Sequence, residues 1–221
     1  MKPLIKICGL STRPAVDAAT DNGASHIGFI FFAKSPRNVS PQQARDLLKS
    51  SPAATSVAVT VNAGTDYLDE IVTTMDPDVL QLHGSETPQD IYDIKARYQR
   101  PVMKALAIRE ATDLGKIDEY DAAADMLLLD AKPPKGSDLP GGNGVSFDWS
   151  LIAALQSDKP VLLSGGIELN NAKQALDLVS KNNNSIIGLD VSSGVESAPG
   201  VKDVAKIRQF LSACNGSHIQ D

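Results

Sequence analysis

Eight times along its length the chain repeats one pattern. A short β-branched or leucine-rich run stops abruptly at a glycine or polar residue, and a helical run follows. The apolar runs fall at residues 4–8, 26–32, 56–61, 79–82, 101–107, 125–130, 161–163 and 186–191. The helical runs fall at 12–22, 40–49, 65–75, 87–98, 111–120, 148–156, 170–179 and 201–213. Runs this apolar fit strands buried on both faces, and strict alternation with helices argues a parallel sheet. Eight units of about 25 to 28 residues can close into a (β/α)8 barrel; an open doubly wound sheet is the alternative. A chain of 221 residues suits one such barrel, and no linker or shift of composition divides it. One α/β domain over residues 1–221 is expected, with its core at about 4–212 and a polar, frayed tail at 214–221.

The last two runs break into Ser164-Gly-Gly166 and Ser192-Ser-Gly194. A lone glycine loop is usually only a tight turn. Two of them, each behind an apolar run and one helix apart, point instead to an anion held from two sides. Glycine lets the backbone approach closely, and free N–H groups at a helix start supply the donors. In (β/α)8 barrels the phosphate site commonly follows strands seven and eight.

Chemistry in such a barrel sits where strands end. Those ends carry Cys8-Gly9, Arg37, Asn62, Gln81-Leu-His83, Asp130, Ser164-Gly-Gly166 and Asp190. Around them lie Lys6-Ile-Cys-Gly9, Lys34-Ser-Pro-Arg37, Gln81-Leu-His-Gly84, Leu128-Leu-Asp130, Gly141-Gly-Asn-Gly144 before Phe147-Asp-Trp149, and Asp190-Val-Ser-Ser-Gly-Val-Glu196. In this order the motifs resemble those of phosphoribosylanthranilate isomerase, the tryptophan-pathway enzyme, from about residue 4 to 212.

The resemblance implies a cofactor-free (β/α)8 isomerase that carries out an Amadori rearrangement of N-(5-phosphoribosyl)anthranilate. It implies Asp130 as the acid that opens the sugar ring and Cys8 as the base that takes the C2 proton. Asp130 ends the most apolar strand, where desolvation would favour a protonated carboxyl; outside the family, a loop-anchoring Asp is the bland reading. Cys8 must work as a thiolate, whereas an ordinary buried cysteine stays a thiol. Lys6 shares its strand face and could either help ionise Cys8 or pair with a carboxylate deeper in the lumen; the second is preferred, because a buried ammonium needs a partner.

Arg37 would hold the anthranilate carboxylate bidentately. His83 either donates to substrate or braces its loop, and Asp190 faces the mouth toward the sugar or amine. The phosphate clamp falls to Gly165, Gly166, Ser192, Ser193 and Gly194. The glycine-rich loop 131–146, with Gly141, Gly142 and Gly144, resembles a mobile cover.

Three rivals are distinguishable. A Schiff-base aldolase would use Lys104, if that residue faces the lumen. A sugar-phosphate epimerase would need metal-bound carboxylates, yet no ligand spacing stands out and no metal is expected. A catalytically dead sugar-phosphate sensor would not need Cys8 or Asp130. A net charge of −6 argues against nucleic acid. With two cysteines, no apolar leader and no run long enough to span a membrane, a cytoplasmic protein is expected, a monomer rather than a homodimer.

Overall fold

The computed structural model describes residues 2–49, 54–133, 136–137, 139–142, 144, 146–155, 157–181 and 185–216. Eight parallel strands close into a barrel in chain order: β1 (Leu4–Cys8), β2 (His26–Phe31), β3 (Thr55–Thr60), β4 (Val79–Leu82), β5 (Val102–Ile108), β6 (Met126–Ala131), β7 (Val161–Leu163) and β8 (Ile186–Val191). Closure pairs β1 with β8, which sets Lys6 opposite Asp190. The open-sheet alternative is thereby excluded.

Successive side chains alternate between the two faces of each strand. Ile5, Ile7, Ile27, Phe29, Leu80, Leu82, Leu127 and Leu129 pack outward into the helical layer. Inside, Val57, Val59, Val79, Met103, Ala105, Leu128 and Leu162 form a smaller cluster beneath the mouth.

The helices are α1 (Arg13–Asp21), α2 (Pro41–Leu48), α3 (Thr65–Met75), α4 (Pro88–Tyr98), α5 (Ile117–Asp121), α6 (Ala172–Lys181) and α7 (Val204–Gly216). Ser40 caps α2 by accepting the Gln43 N–H, and Thr87 forms a reciprocal capping box with Asp90. Two expected α-helices are shorter or tighter. The fifth splits into a 3-10 turn, Ala111–Lys116, and the brief α5. There Asp113 accepts the Arg109 and Glu110 amides and winds the entry tightly. The sixth is a 3-10 turn, Trp149–Ala154; its expected end at residue 156 lies outside the described residues.

The C-terminal end differs from expectation in two ways. Residues 201–202 do not begin the last helix. They form β10 (Val201–Lys202), which pairs antiparallel with β9 (Glu196–Ala198). Cys214 is not in a frayed tail either. Ile207, Phe210, Leu211 and Cys214 recur at helical spacing on α7 and are buried, while Asn215 ties the helix end to the Asn22 carbonyl. Only the expected tail at 217–221 lies outside the described residues.

Burial pushes the Cys214 thiol up from its ordinary 9.0 to about 12. The folded state therefore holds that proton to higher pH than the unfolded chain. Its stabilisation is full below the ordinary thiol value and is lost as pH rises toward about 12. Urea midpoints are expected to fall across that window. Cys214→Ala should flatten the fall while costing about 1–2 kcal/mol at neutral pH.

Candidate active site

The C-terminal strand ends surround one solvent-open cavity of about 770 Å³. Cys8, Arg37, His83, Asp130, Asp190, Ser192 and Ser193 line it, as do Gly165 and Gly166 and the loop glycines Gly141, Gly142 and Gly144. Gly194 is the expected site residue that stands off this wall. It forms a bridge with Glu168, and any side chain there would run into the Ile167 carbonyl. The glycine-rich cover includes residues 134, 135, 138, 143 and 145, which lie outside the described residues.

Asp130 sits on β6 facing inward, 5% exposed. Its Oδ1 accepts the Ala131 N–H at 2.8 Å, and its Oδ2 lies 3.3 Å from His83 Nε2. The Gln81 amide nitrogen stands 3.1 Å from the other ring nitrogen of His83. Gly141 closes over this pair, where a methyl group would come within 2.6 Å of His83 Nε2. A side chain there would have to push the Asp130 carboxyl or the His83 ring aside.

Cys8 ends β1 one strand-face step above Lys6. Lys6 is fully buried and donates to Asp190 Oδ1 at 2.6 Å, so the lysine does pair with a carboxylate in the lumen. Ser164 donates to the other Asp190 oxygen at 3.1 Å. Burial pushes the Cys8 thiol up. The Lys6 and Lys202 ammonium groups oppose that shift, and the Asp190 carboxylate adds to it. Lys6 itself is held above its ordinary value, because Asp190 and Cys8 outweigh the cost of its burial. Both readings of Lys6 thus describe the same side chain.

Arg37 departs from its expected geometry. Its Nε and Nη2 donate to Glu196 at 2.7 and 2.9 Å, and Nη2 also reaches the Gly142 carbonyl at 3.2 Å. The bidentate edge is therefore engaged by a protein carboxylate, which leaves the Nη1 end toward the loop. Glu196 also accepts from the buried Lys202 at 2.7 Å, and Lys202 donates to the Ser192 carbonyl at 2.8 Å. Glu196 closes a known motif but draws no attention as a site residue in the sequence. Lys202 is hidden further, because two short strands without apolar runs bring it back to the mouth.

Burial pushes the Glu196 carboxyl up, but Arg37 and Lys202 outweigh it and hold the group below its ordinary value. The pairing stabilises the fold above the ordinary carboxylate range, and that contribution is lost as pH falls through the depressed value. Glu196→Gln leaves two buried cations under-compensated. It should cost about 3–5 kcal/mol in urea unfolding at pH 7.

Lys104 does not face the lumen. It points outward from β5, opposite Leu82, and donates to the Gly84 carbonyl and to Glu86, each at 2.7 Å. The Tyr120 ring lies 5.7 Å from its ammonium. Inward positions on this strand belong to Met103 and Ala105, so the one-residue offset puts Lys104 under the 83–86 turn. Among the described residues, no group of three or more His, Cys, Asp or Glu side chains is arranged to hold a metal ion.

A closed parallel barrel with a carboxyl group, a thiol and two glycine loops around one mouth defines a (β/α)8-barrel enzyme. The family model for N-(5'-phosphoribosyl)anthranilate isomerase matches residues 5–213. The chain belongs to this family of aldose–ketose isomerases. It is 56% identical to the N-(5'-phosphoribosyl)anthranilate isomerase of Rhizobium meliloti (strain 1021), over 96% of this chain and 97% of that protein. The phosphoribosyl anthranilate isomerase structure from Thermus thermophilus superposes with a TM-score of 0.83 at 28% identity, covering 97% of this chain and 100% of that one. A phosphoribosyl anthranilate isomerase in complex with reduced 1-(o-carboxyphenylamino)-1-deoxyribulose 5-phosphate superposes with a TM-score of 0.80 at 29% identity, covering 97% and 99%.

Proposed function

We propose that the chain converts N-(5-phosphoribosyl)anthranilate to 1-(2-carboxyphenylamino)-1-deoxyribulose 5-phosphate by an Amadori rearrangement, as a step of tryptophan biosynthesis. The observation that carries the mechanism is that Asp130 and Cys8 open into one cavity beside both glycine loops. Asp130 gives its proton to the ring oxygen as the C1–O bond breaks, and the anilino nitrogen lone pair forms the C=N bond. The Cys8 thiolate then takes the C2 proton, the C2–H pair forms the C1=C2 bond, and the C=N π pair returns to nitrogen to leave an enolamine. C1 gains a proton and the 2-hydroxyl loses one, which yields the ketose with no net change in protons.

The phosphate lies between Gly165–Gly166 and Ser192–Ser193, with Gly194 holding the second loop against Glu168 from behind. Arg37 meets the anthranilate carboxylate through its Nη1 end, with Glu196 holding the other edge. Asp190, fixed by Lys6 and Ser164, faces the sugar. His83 supports Asp130, and Gly141, Gly142 and Gly144 cover the bound molecule. No metal or organic cofactor takes part in these steps.

The chain is read as one barrel domain acting as a monomer in the cytoplasm. Among the described residues, no helix is long and apolar enough to cross a membrane. Among the described residues, the exposed large hydrophobics Tyr92, Leu169 and Val201 lie on separate segments of the chain. Sedimentation should give one 23.4 kDa chain.

The direct test generates phosphoribosylanthranilate in situ and follows the loss of its fluorescence on adding protein. Rapid loss supports the isomerase. An inactive wild type would remove it, and retained phosphate binding would then point to the sensor or to another sugar-phosphate enzyme.

A further inference from the structure

Gln81 has no task in the steps above, although its side chain lines the mouth and is 1% exposed. Its Nε2 faces His83 Nδ1 at 3.1 Å, and its Oε1 has no hydrogen-bond partner among the described residues. His83 Nε2 in turn lies 3.3 Å from Asp130 Oδ2. These three side chains form a line running from β4 to the carboxyl group on β6.

An amide nitrogen can only donate, so the ring nitrogen it meets must carry a lone pair. A neutral imidazole then has its single proton on the other nitrogen, the one facing Asp130. We propose that Gln81 is a positioning residue that fixes His83 as the neutral Nε2–H tautomer, so that the imidazole donates to the Asp130 carboxylate created when Asp130 protonates the sugar. The inference deepens the acid step and rests on that reading of Asp130. The proton given to the ring oxygen comes from Asp130, and His83 keeps its own throughout.

Gln81 Oε1 is buried and has no donor among the described residues, so the contact of Nε2 with the His83 ring is what orients the amide. Turned over, Oε1 would accept from Nδ1–H, and a bare Nε2 would compete with the sugar for the Asp130 proton. A donor that stabilises the carboxylate would become an acceptor that retains the acid's proton.

The test is a nitrogen NMR spectrum of the full chain labelled with 15N-histidine. There are three histidines, and the His83 signals are those lost in His83→Asn. At neutral pH the wild type should show a protonated Nε2 and a bare Nδ1. Gln81→Glu should turn the ring into an imidazolium, and Gln81→Met should give mixed tautomers. In kinetics, Gln81→Met should lower kcat roughly ten- to hundredfold with little change in KM, and should add nothing in an Asp130→Asn background.

An Nδ1–H tautomer or an imidazolium in the wild type would overturn the proposal, as would a His83 spectrum unchanged by Gln81→Glu. The spectra need no substrate. A wild type inactive on phosphoribosylanthranilate would therefore sink the isomerase reading alone, leaving the placement of the proton to be decided separately.

Discussion

Asp130→Asn should lower kcat/KM by about 10²–10⁴-fold while leaving the fold intact. The amide keeps the shape of the side chain, and its oxygen can still accept the Ala131 N–H that Oδ1 accepts at 2.8 Å. What it cannot do is deliver an acidic proton to the ring oxygen. The loss should therefore appear in kcat, because Asp130 binds no charged part of the substrate in the proposed arrangement. A variant with normal kcat and raised KM would show that Asp130 orients the sugar and that the acid is another group. Steady-state rates together with an unchanged urea midpoint separate catalytic loss from unfolding.

Cys8→Ser should be damaged to a similar extent, by about 10²–10⁴-fold in kcat, and for a different reason. Serine keeps the small side chain at a 5% exposed position, but its hydroxyl is a far weaker acid than a thiol and so ionises less. The pH dependence is the sharper readout. Burial pushes the Cys8 thiol up, so the thiolate is the minor form at neutral pH in the free enzyme. A base that must be deprotonated then gives a kcat/KM that rises with pH and keeps rising past the ordinary thiol range. Lys6 and Lys202 limit that shift, and Lys6→Met should move the rising limb to still higher pH. Loss of the limb in Cys8→Ser identifies its source. A profile flat from neutral to alkaline pH would remove Cys8 as the base.

The alternation of apolar runs and helices made the barrel legible. Buried parallel strands are predominantly apolar, and the few polar residues inside them, such as Lys6 and Lys104, find buried partners, so each strand announces itself and stops where the mouth begins. Residues at those stops, such as Cys8, Asp130 and Ser164, could be read directly. The pairings could not. Nothing in the neighbourhood of Arg37 shows that Glu196 occupies its bidentate edge, because that contact spans 159 positions. Whether Lys104 faces the lumen turns on a single step of the strand's two-residue period, which an apolar run buried on both faces does not mark; Met103 and Ala105 take the inward positions. Lys202 and Cys214 were obscured by a polar C-terminal stretch whose β9–β10 hairpin and amphipathic helix end depend on what they pack against.

The seam where β1 meets β8 has a consequence for how the chain comes to life. Lys6 and its partner Asp190 are 184 positions apart, and Ser192 reaches the Cys8 carbonyl across the same distance. A nascent chain can lay down strand after strand beside its predecessor, but this seam forms only after nearly all of it has left the ribosome. Loop closure over such a span slows the final step of folding. A chain cut short before β8 leaves the first strand without its second neighbour, so Lys6 loses Asp190 and the Cys8 carbonyl loses Ser192.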